Sequence, residues 1–177
     1  MEGAGTTTPP ATRKDSIDRF VDSSLALFPG VDPETEAAVD RIHMLSKRIK
    51  RSTEGVVARF GLNAGEFYAL LKLRVAPNQQ MSAGDLAELL DLSTGAMTNR
   101  LDGLEEHGLI TRERAAADRR SVLVAMTPKG QETLVNAVEA AGKEEHALFS
   151  TLSEAQHRQL NALLRSLVLT FQDPDDC

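Results

Sequence analysis

The chain of 177 residues has no tryptophan, one tyrosine (Tyr68) and one cysteine (Cys177), and only 4% of its residues are aromatic. A single cysteine excludes an internal disulfide framework. Cys177 also ends the acidic segment 173–177, whereas a redox-sensing thiol usually needs positive charge nearby to favour the thiolate. The composition therefore argues against a disulfide-stabilised protein and against a cysteine-based sensor.

The sequence also lacks long apolar runs and catalytic motifs. No stretch is apolar enough to span a membrane, and segment 1–14 has no apolar core of a signal peptide, so we expect a cytoplasmic protein. No glycine-rich phosphate loop is present. The histidines have no carboxylate or cysteine at metal-ligand spacing: His43, His107, His146 and His157. We expect no enzyme activity, no cofactor and no metal, the remaining metal alternative being a cluster assembled across helices.

Positive charge is in deficit, with 20 Lys and Arg against 26 Asp and Glu, a net charge of −6. This balance is unusual for a nucleic-acid-binding protein and predicts a modest contribution from phosphate contacts. Segment 41–53 is the exception, with five basic residues and no acid: Arg41, Lys47, Arg48, Lys50 and Arg51. The cluster could extend a DNA interface, bind an anionic ligand or form a solvated helix face.

Segment 82–127 has the most specific pattern in the chain and predicts two short helices. Ser82, followed three residues later by Asp85, is typical of a helix start. Either Ser93 or Thr94 begins the second helix after a short turn. In that second helix three apolar residues recur at i, i+4 and i+7, which predicts that they face a core: Met97, Leu101 and Leu104.

Two strand-like segments follow, 109–114 and 121–127, after Gly108 ends the second helix. Four arginines lie between 112 and 120, against Glu113 and Asp118: Arg112, Arg114, Arg119 and Arg120. An arginine at such a hairpin tip can enter the DNA minor groove, although an ordinary solvated turn is the alternative. Helix, turn, helix and basic hairpin together predict a winged helix-turn-helix, which places its second helix in the major groove.

Short polar residues lie opposite the apolar stripe of the second helix, at about 100° per residue: Gly95, Thr98, Asn99 and Asp102. Thr98 and Asn99 can donate to and accept from base edges. We add Ser82, Ser93 and Thr94 at the helix starts as candidate DNA contacts. A merely solvated face is the alternative.

Arg100 lies at the edge of the apolar stripe, about 60° from Met97. One interpretation is a half-buried arginine paired with a carboxylate. The others are a phosphate contact and a relay between a ligand and this helix.

The pattern resembles the MarR family of bacterial transcription regulators over LSTGAMTNRLDGLEEHGLITRERAAADRRSVLVAMTPKG. The resemblance implies that Asp118 and Arg120 form the wing pair, with Arg120 in the minor groove and Arg119 at a neighbouring phosphate. It also implies a homodimer on pseudo-palindromic double-stranded DNA, usually a repressor that a small-molecule ligand releases.

The remaining segments predict a helical dimerisation body. We expect helices over 16–28, 34–60 and 64–75, a helix from Thr127-Pro128 to about 150, and a last helix after the capping box of Ser153 and Gln156. Their apolar stripes exceed what one domain needs, which favours burial against a second copy over an intramolecular bundle. The predicted parts are a disordered tail (1–14), an extra helix (15–30), a MarR-like domain (31–172, with its winged helix at 62–127 and dimerisation helices at 34–60 and 128–172) and an acidic tail (173–177).

The extra helix resembles the PecS and urate-responsive branch of the family. In that branch a tryptophan on the extra helix, an aspartate after a Glu-Phe pair and an arginine in the recognition helix serve the ligand response. Here Ser24 and Tyr68 stand at the first two places and Arg100 at the third. We therefore expect a ligand other than urate, or none.

A ligand pocket is predicted where the long helix, helix 64–75 and the recognition unit meet. The candidates, each of which could instead be plain core, are Phe20, Ser24, Met44, Arg48, Phe67, Tyr68, Leu71 and Arg100. A ligand there would change the spacing of the recognition helices. The alternative function is a winged-helix module that binds another protein and no specific DNA.

Overall fold

The computed structural model describes residues 14–25, 27–114 and 122–171. Within these ranges the chain forms α1 (Ser16–Leu25), α2 (Pro33–Ala58), α3 (Ala64–Val75), β1 (Gln80–Ser82), α4 (Ala83–Leu89), α5 (Thr94–Glu106), β2 (Ile110–Arg114), β3 (Val122–Met126), α6 (Pro128–Phe149) and α7 (Glu154–Val168). The predicted fold class, mainly helical with a small wing sheet, is confirmed. Across the described residues, no helix combines the length and apolar character needed to cross a membrane.

The chain divides into two compact units between Lys50 and Arg51. In the first unit α1 packs on the first half of α2 through Ile17, Val21 and Ala37. Helix α1 ends at Leu25, so the prediction that it extends to 28 is wrong. The backbone N–H groups of Leu27 and Phe28 both donate to the carbonyl of Ser24, a tight turn that closes the helix.

Ion pairs connect the start of α1 to α2. Arg41 donates to the Asp15 carboxylate (Nε to Oδ2, 3.0 Å) and to Asp18 (Nη2 to Oδ1, 2.5 Å). Asp15 also accepts from the backbone N–H groups of Ile17 and Asp18, and so caps the helix. The hydrogen bond from Arg41, with those N–H groups, lowers the pKa of Asp15 to about 2.

The second unit is built around the recognition helix α5. Its predicted inner residues are confirmed as core, because Met97, Leu101 and Leu104 are all at most 2% exposed. Fully buried side chains from α3, α4, β2, β3 and α6 belong to the same core: Leu70, Leu73, Leu86, Ile110, Val124 and Leu134.

The wing sheet has three strands, which corrects the predicted two-strand hairpin. Strand β3 pairs with β2 on one side, Thr111 opposite Ala125, and with β1 on the other, Met81 opposite Val124; both pairings are antiparallel. Strand β1 has only three residues, too few to show an alternation that identifies a strand. It ties the connection before α4 to the wing.

We expect acid to loosen α1 before it loosens the winged helix. The pKa of Asp15 is lowered in the folded chain, so its contribution to stability is present above the unfolded value near 3.9. It is lost as pH falls from about 4 to about 2. Hydrogen exchange, corrected for intrinsic rates, should show amides of 16–25 opening in this range before those of α5.

Arg41→Gln serves as the control for this titration. In this variant the amides of α1 should already exchange faster than in the wild type at pH 5. Lowering the pH from about 4 to about 2 should then accelerate their exchange much less than in the wild type. An unchanged acid response in Arg41→Gln would show that other groups hold α1 in place.

Candidate nucleic-acid interface

Two serines begin the two helices of the helix-turn-helix, as predicted. Ser82 Oγ accepts from the N–H of Asp85 (3.0 Å), and Ser93 Oγ accepts from the N–H of Ala96 (3.3 Å). The turn between the helices closes at Asp91, whose φ of 51° puts it in the left-handed region that Asp tolerates better than most residues. Each serine therefore caps the first turn of its helix.

The outer face of α5 is exposed and carries short side chains. Thr94, Gly95, Thr98 and Asn99 are all exposed, and a Cβ placed on Gly95 would meet nothing within 4 Å. Thr98 Oγ1 donates to the Thr94 carbonyl (2.9 Å), which leaves its oxygen free to accept. Because these side chains are short, the helix can approach the base edges in the major groove closely. The contacts of this face with DNA stay a prediction.

Arg100 is half-buried and lies over the backbone of Gly65 at the start of α3, where a Cβ would overlap its guanidinium. Among the described residues it forms no ion pair within 4.0 Å. The interpretation of Arg100 as paired with a carboxylate therefore finds no support in the described ranges. Its roles as a phosphate contact or as a relay stay predictions.

Glu66 gives α3 and α5 a second close contact, which the sequence analysis missed. It forms a capping box with Asn63: Asn63 Oδ1 accepts from the Glu66 N–H (2.9 Å), and Glu66 Oε2 accepts from the Asn63 N–H (2.8 Å). Its other oxygen lies 2.7 Å from where a Cβ of Gly103 would be. The only signal in the sequence was the capping-box spacing at 63–66, which identifies a helix start and not its partner.

Arg112 is held by two carboxylates of the recognition helix. Its guanidinium contacts Asp102 Oδ1 (Nη2, 2.7 Å) and Glu105 Oε2 (Nε, 2.8 Å). The hydrogen bonds, that of Glu105 first, raise the pKa of Arg112 further above its ordinary value. Arg112 therefore links β2 to α5, and its charge is compensated within the protein; its predicted contact with DNA stays untested.

The tip of the hairpin falls outside the described residues. Asp118, Arg119 and Arg120 lie there, so their predicted roles at the minor groove and the phosphates stay predictions. The described stem ends with Arg114 opposite Val122.

The eight candidate ligand residues are divided between the two units. In the first unit Phe20 and Met44 are 60% and 50% exposed, Arg48 is exposed, and Ser24 Oγ donates to the Phe20 carbonyl. In the second unit Phe67 is buried core with Leu71 packed against that core, Tyr68 is 45% exposed with its ring edge-on to Phe67, and Arg100 lies on Gly65. No group of His, Cys, Asp and Glu in the described part of the chain is arranged to hold a metal ion.

The recognition helix buries its apolar face and follows a capped helix and turn. The sheet beside it combines β2 and β3, which follow this helix, with β1, which precedes α4; together these elements define a winged-helix protein. The model of the MarR family matches residues 62–122, from two residues before α3 to the first residue of β3. The regulator PecS of Dickeya dadantii is 31% identical over 138 residues, which span 77% of this chain and 82% of PecS. The repressor MprA of Escherichia coli is 30% identical over 138 residues, 77% of this chain and 78% of MprA.

Solved structures agree with the sequence relatives. The apo form of MarR from E. coli is 25% identical, with a TM-score of 0.66 over 72% of this chain and 93% of that one. A mutant of the same MarR, complexed with operator DNA, shares the fold with a TM-score of 0.62 at 22% identity, over 87% and 99% of the two chains. The chain belongs to the MarR family of transcription regulators.

We expect Arg112→Met to weaken DNA binding without changing its dependence on salt. The ion pairs of Arg112 position the wing, so their loss should loosen the interface and release no additional counterions. Fluorescence anisotropy at several salt concentrations gives the slope of log K against log[salt]. Loss of a phosphate contact would instead flatten that slope by about 0.9 for each contact.

The neighbouring Arg114→Met provides the matched control, because Arg114 is exposed on the same strand and forms no ion pair among the described residues. A flatter slope for Arg112→Met than for Arg114→Met would assign Arg112 to the DNA and not to the fold.

Proposed function

We propose that this protein is a sequence-specific DNA-binding repressor that acts as a homodimer on a pseudo-palindromic operator and is released by a small-molecule ligand. The observation that carries the proposal is the orientation of α5. Its apolar stripe is buried, so the short polar residues Thr94, Thr98 and Asn99 face solvent. This is the surface that a helix needs in order to enter the major groove.

The start of α5 supports contacts with the DNA backbone. The first backbone N–H groups of a helix have no partner within the helix, and they favour phosphate oxygens. Ser93 caps the Ala96 N–H, and no acid lies in the first turn. The wing arginines, Arg119 and Arg120, would add contacts beside the groove.

Exposed apolar side chains support the homodimer. On α7 the residues Leu163, Leu167 and Val168 are 60%, 53% and 51% exposed in the single chain. Further along, Phe171 is 89% exposed. Apolar surface of this extent is costly in water and marks an interaction site, and a second copy with twofold symmetry would bury it. The same symmetry presents two recognition helices to two half-sites.

The proposed ligand response differs from that of the urate-responsive branch. Ser24 and Tyr68 stand at the sequence positions that a tryptophan and an aspartate have in the urate-responsive branch, so we expect a ligand other than urate. A ligand would act by favouring a dimer whose recognition helices no longer match both half-sites. We place the protein in the cytoplasm, with DNA, a second copy and this ligand as its partners.

We expect the purified protein to bind the intergenic DNA upstream of its own gene tightly and in the presence of excess competitor DNA. Anisotropy at two salt concentrations measures this binding. Binding that disappears with salt or competitor at that site, and in a selection from random-sequence duplexes, would contradict the proposal. The protein would then be a winged-helix module for protein partners, an alternative that its net charge of −6 favours.

Replacing both Arg119 and Arg120 with Ala should weaken specific binding at least about tenfold, because an inserted arginine and a phosphate contact are lost together. The control removes the same charge elsewhere, with Lys143→Ala and Arg158→Ala on the exposed faces of α6 and α7. Equal losses in the two double variants would indicate a general charge effect and argue against a role of the wing in DNA recognition.

A further inference from the structure

The first turn of α6 is bonded to the end of the recognition helix. Lys129 Nζ donates to the carbonyl of His107 (2.7 Å), and Thr127 Oγ1 donates to the carbonyl of Gly108 (2.8 Å). The backbone N–H of Thr127 donates to the carbonyl of Leu109 (3.0 Å). The three consecutive carbonyls of 107–109 therefore all accept hydrogen bonds from two residues at the start of α6, Thr127 and Lys129.

The way α5 ends makes these carbonyls available. Gly108, with φ of 68°, reverses the chain, and the N–H groups of Gly108 and Leu109 return to the carbonyls of Glu105 and Leu104. This Schellman motif satisfies the last helical carbonyls and leaves those of 107–109 without a helical donor.

Thr127 connects the two helices through a single hydroxyl. While it donates to Gly108, its Oγ1 accepts from the N–H of Gly130 (3.0 Å) and so caps α6. The hydroxyl of Thr127 is therefore hydrogen-bonded both to the segment that ends α5 and to the first turn of α6.

Gly130 makes this contact a steric one as well. It is buried, and a Cβ built on it would overlap the carbonyl oxygen of Leu109 and lie 3.1 Å from Met126 Cγ. The overlapping atom belongs to the backbone and cannot rotate away. Gly142, on the same helix, has nothing within 4 Å of the equivalent position. The close approach is therefore local to the joint between α5 and α6.

We infer that Gly130, Thr127 and Lys129 form a rigid joint that sets which half-site spacing the dimer accepts. The inference rests on the proposed function, in which α6 belongs to the dimerisation body. Helix α6 has 22 residues, about 33 Å of length. A rotation of about 6° at the joint would displace its far end by about 3.4 Å, one base-pair step. These three are positioning residues that act through α5.

The test compares Gly130→Ala, Lys129→Met and the control Gly142→Ala. An operator obtained by selection from random-sequence duplexes is lengthened or shortened by one base pair between its half-sites, and Kd is measured for each spacing. Wild type and Gly142→Ala should prefer one spacing. Gly130→Ala should change the ratio of Kd values at least about tenfold, and Lys129→Met about fivefold, the effect of one hydrogen bond.

A purely structural role would lower affinity equally at every spacing, so unchanged Kd ratios in both variants would overturn the inference. Should Gly130→Ala fail to fold, as judged by circular dichroism, Lys129→Met decides alone, since Lys129 is exposed. Absence of any specific site for the wild type would refute the proposed function and the inference with it. A wild-type preference that both variants retain in full, or that Lys129→Met retains where Gly130→Ala does not fold, would refute only the joint and leave the proposed function in place.

Discussion

The burial of Met97, Leu101 and Leu104 is the constraint on which the rest of the structure depends. With these three side chains in the core, the rotation of α5 about its own axis is determined, and its short polar residues must face outward. Reversing that rotation would expose three large apolar side chains, at about 1.5–3 kcal/mol each. The apolar core thus decides which residues are available to a partner.

Close backbone contacts then determine where α5 sits. The carboxylate of Glu66, at the start of α3, contacts Gly103 of α5. The carbonyl oxygen of Leu109 contacts Gly130 at the start of α6. Arg112 ties the wing to the same helix through Asp102 and Glu105. The recognition helix is therefore held on its inner face by packing, at its C-terminal end by hydrogen bonds and along its side by an ion pair.

Local features of the sequence were predicted well. The caps at Ser82, Ser93 and Ser153, the left-handed Gly108 and the apolar face of α5 were all found where expected, because each depends on residues within a few positions of one another. Strand β1 and the early end of α1 were missed. A three-residue strand has no periodicity of its own, and the end of α1 depends on a turn that its apolar pattern does not encode.

The sequence by itself determined the winged helix-turn-helix, its family and the residues that α5 exposes, because periodicity, capping and glycine placement act over short distances. Tertiary structure decided what each long side chain does. Folding brings Arg112 to Asp102 and Glu105, a pairing that its place in the strand pattern did not indicate. Arg100 could have paired with a carboxylate, but it lies on Gly65. An ion pair or a close contact at a glycine joins residues that come together only when the chain is packed. A local sequence pattern does not specify which residues these are.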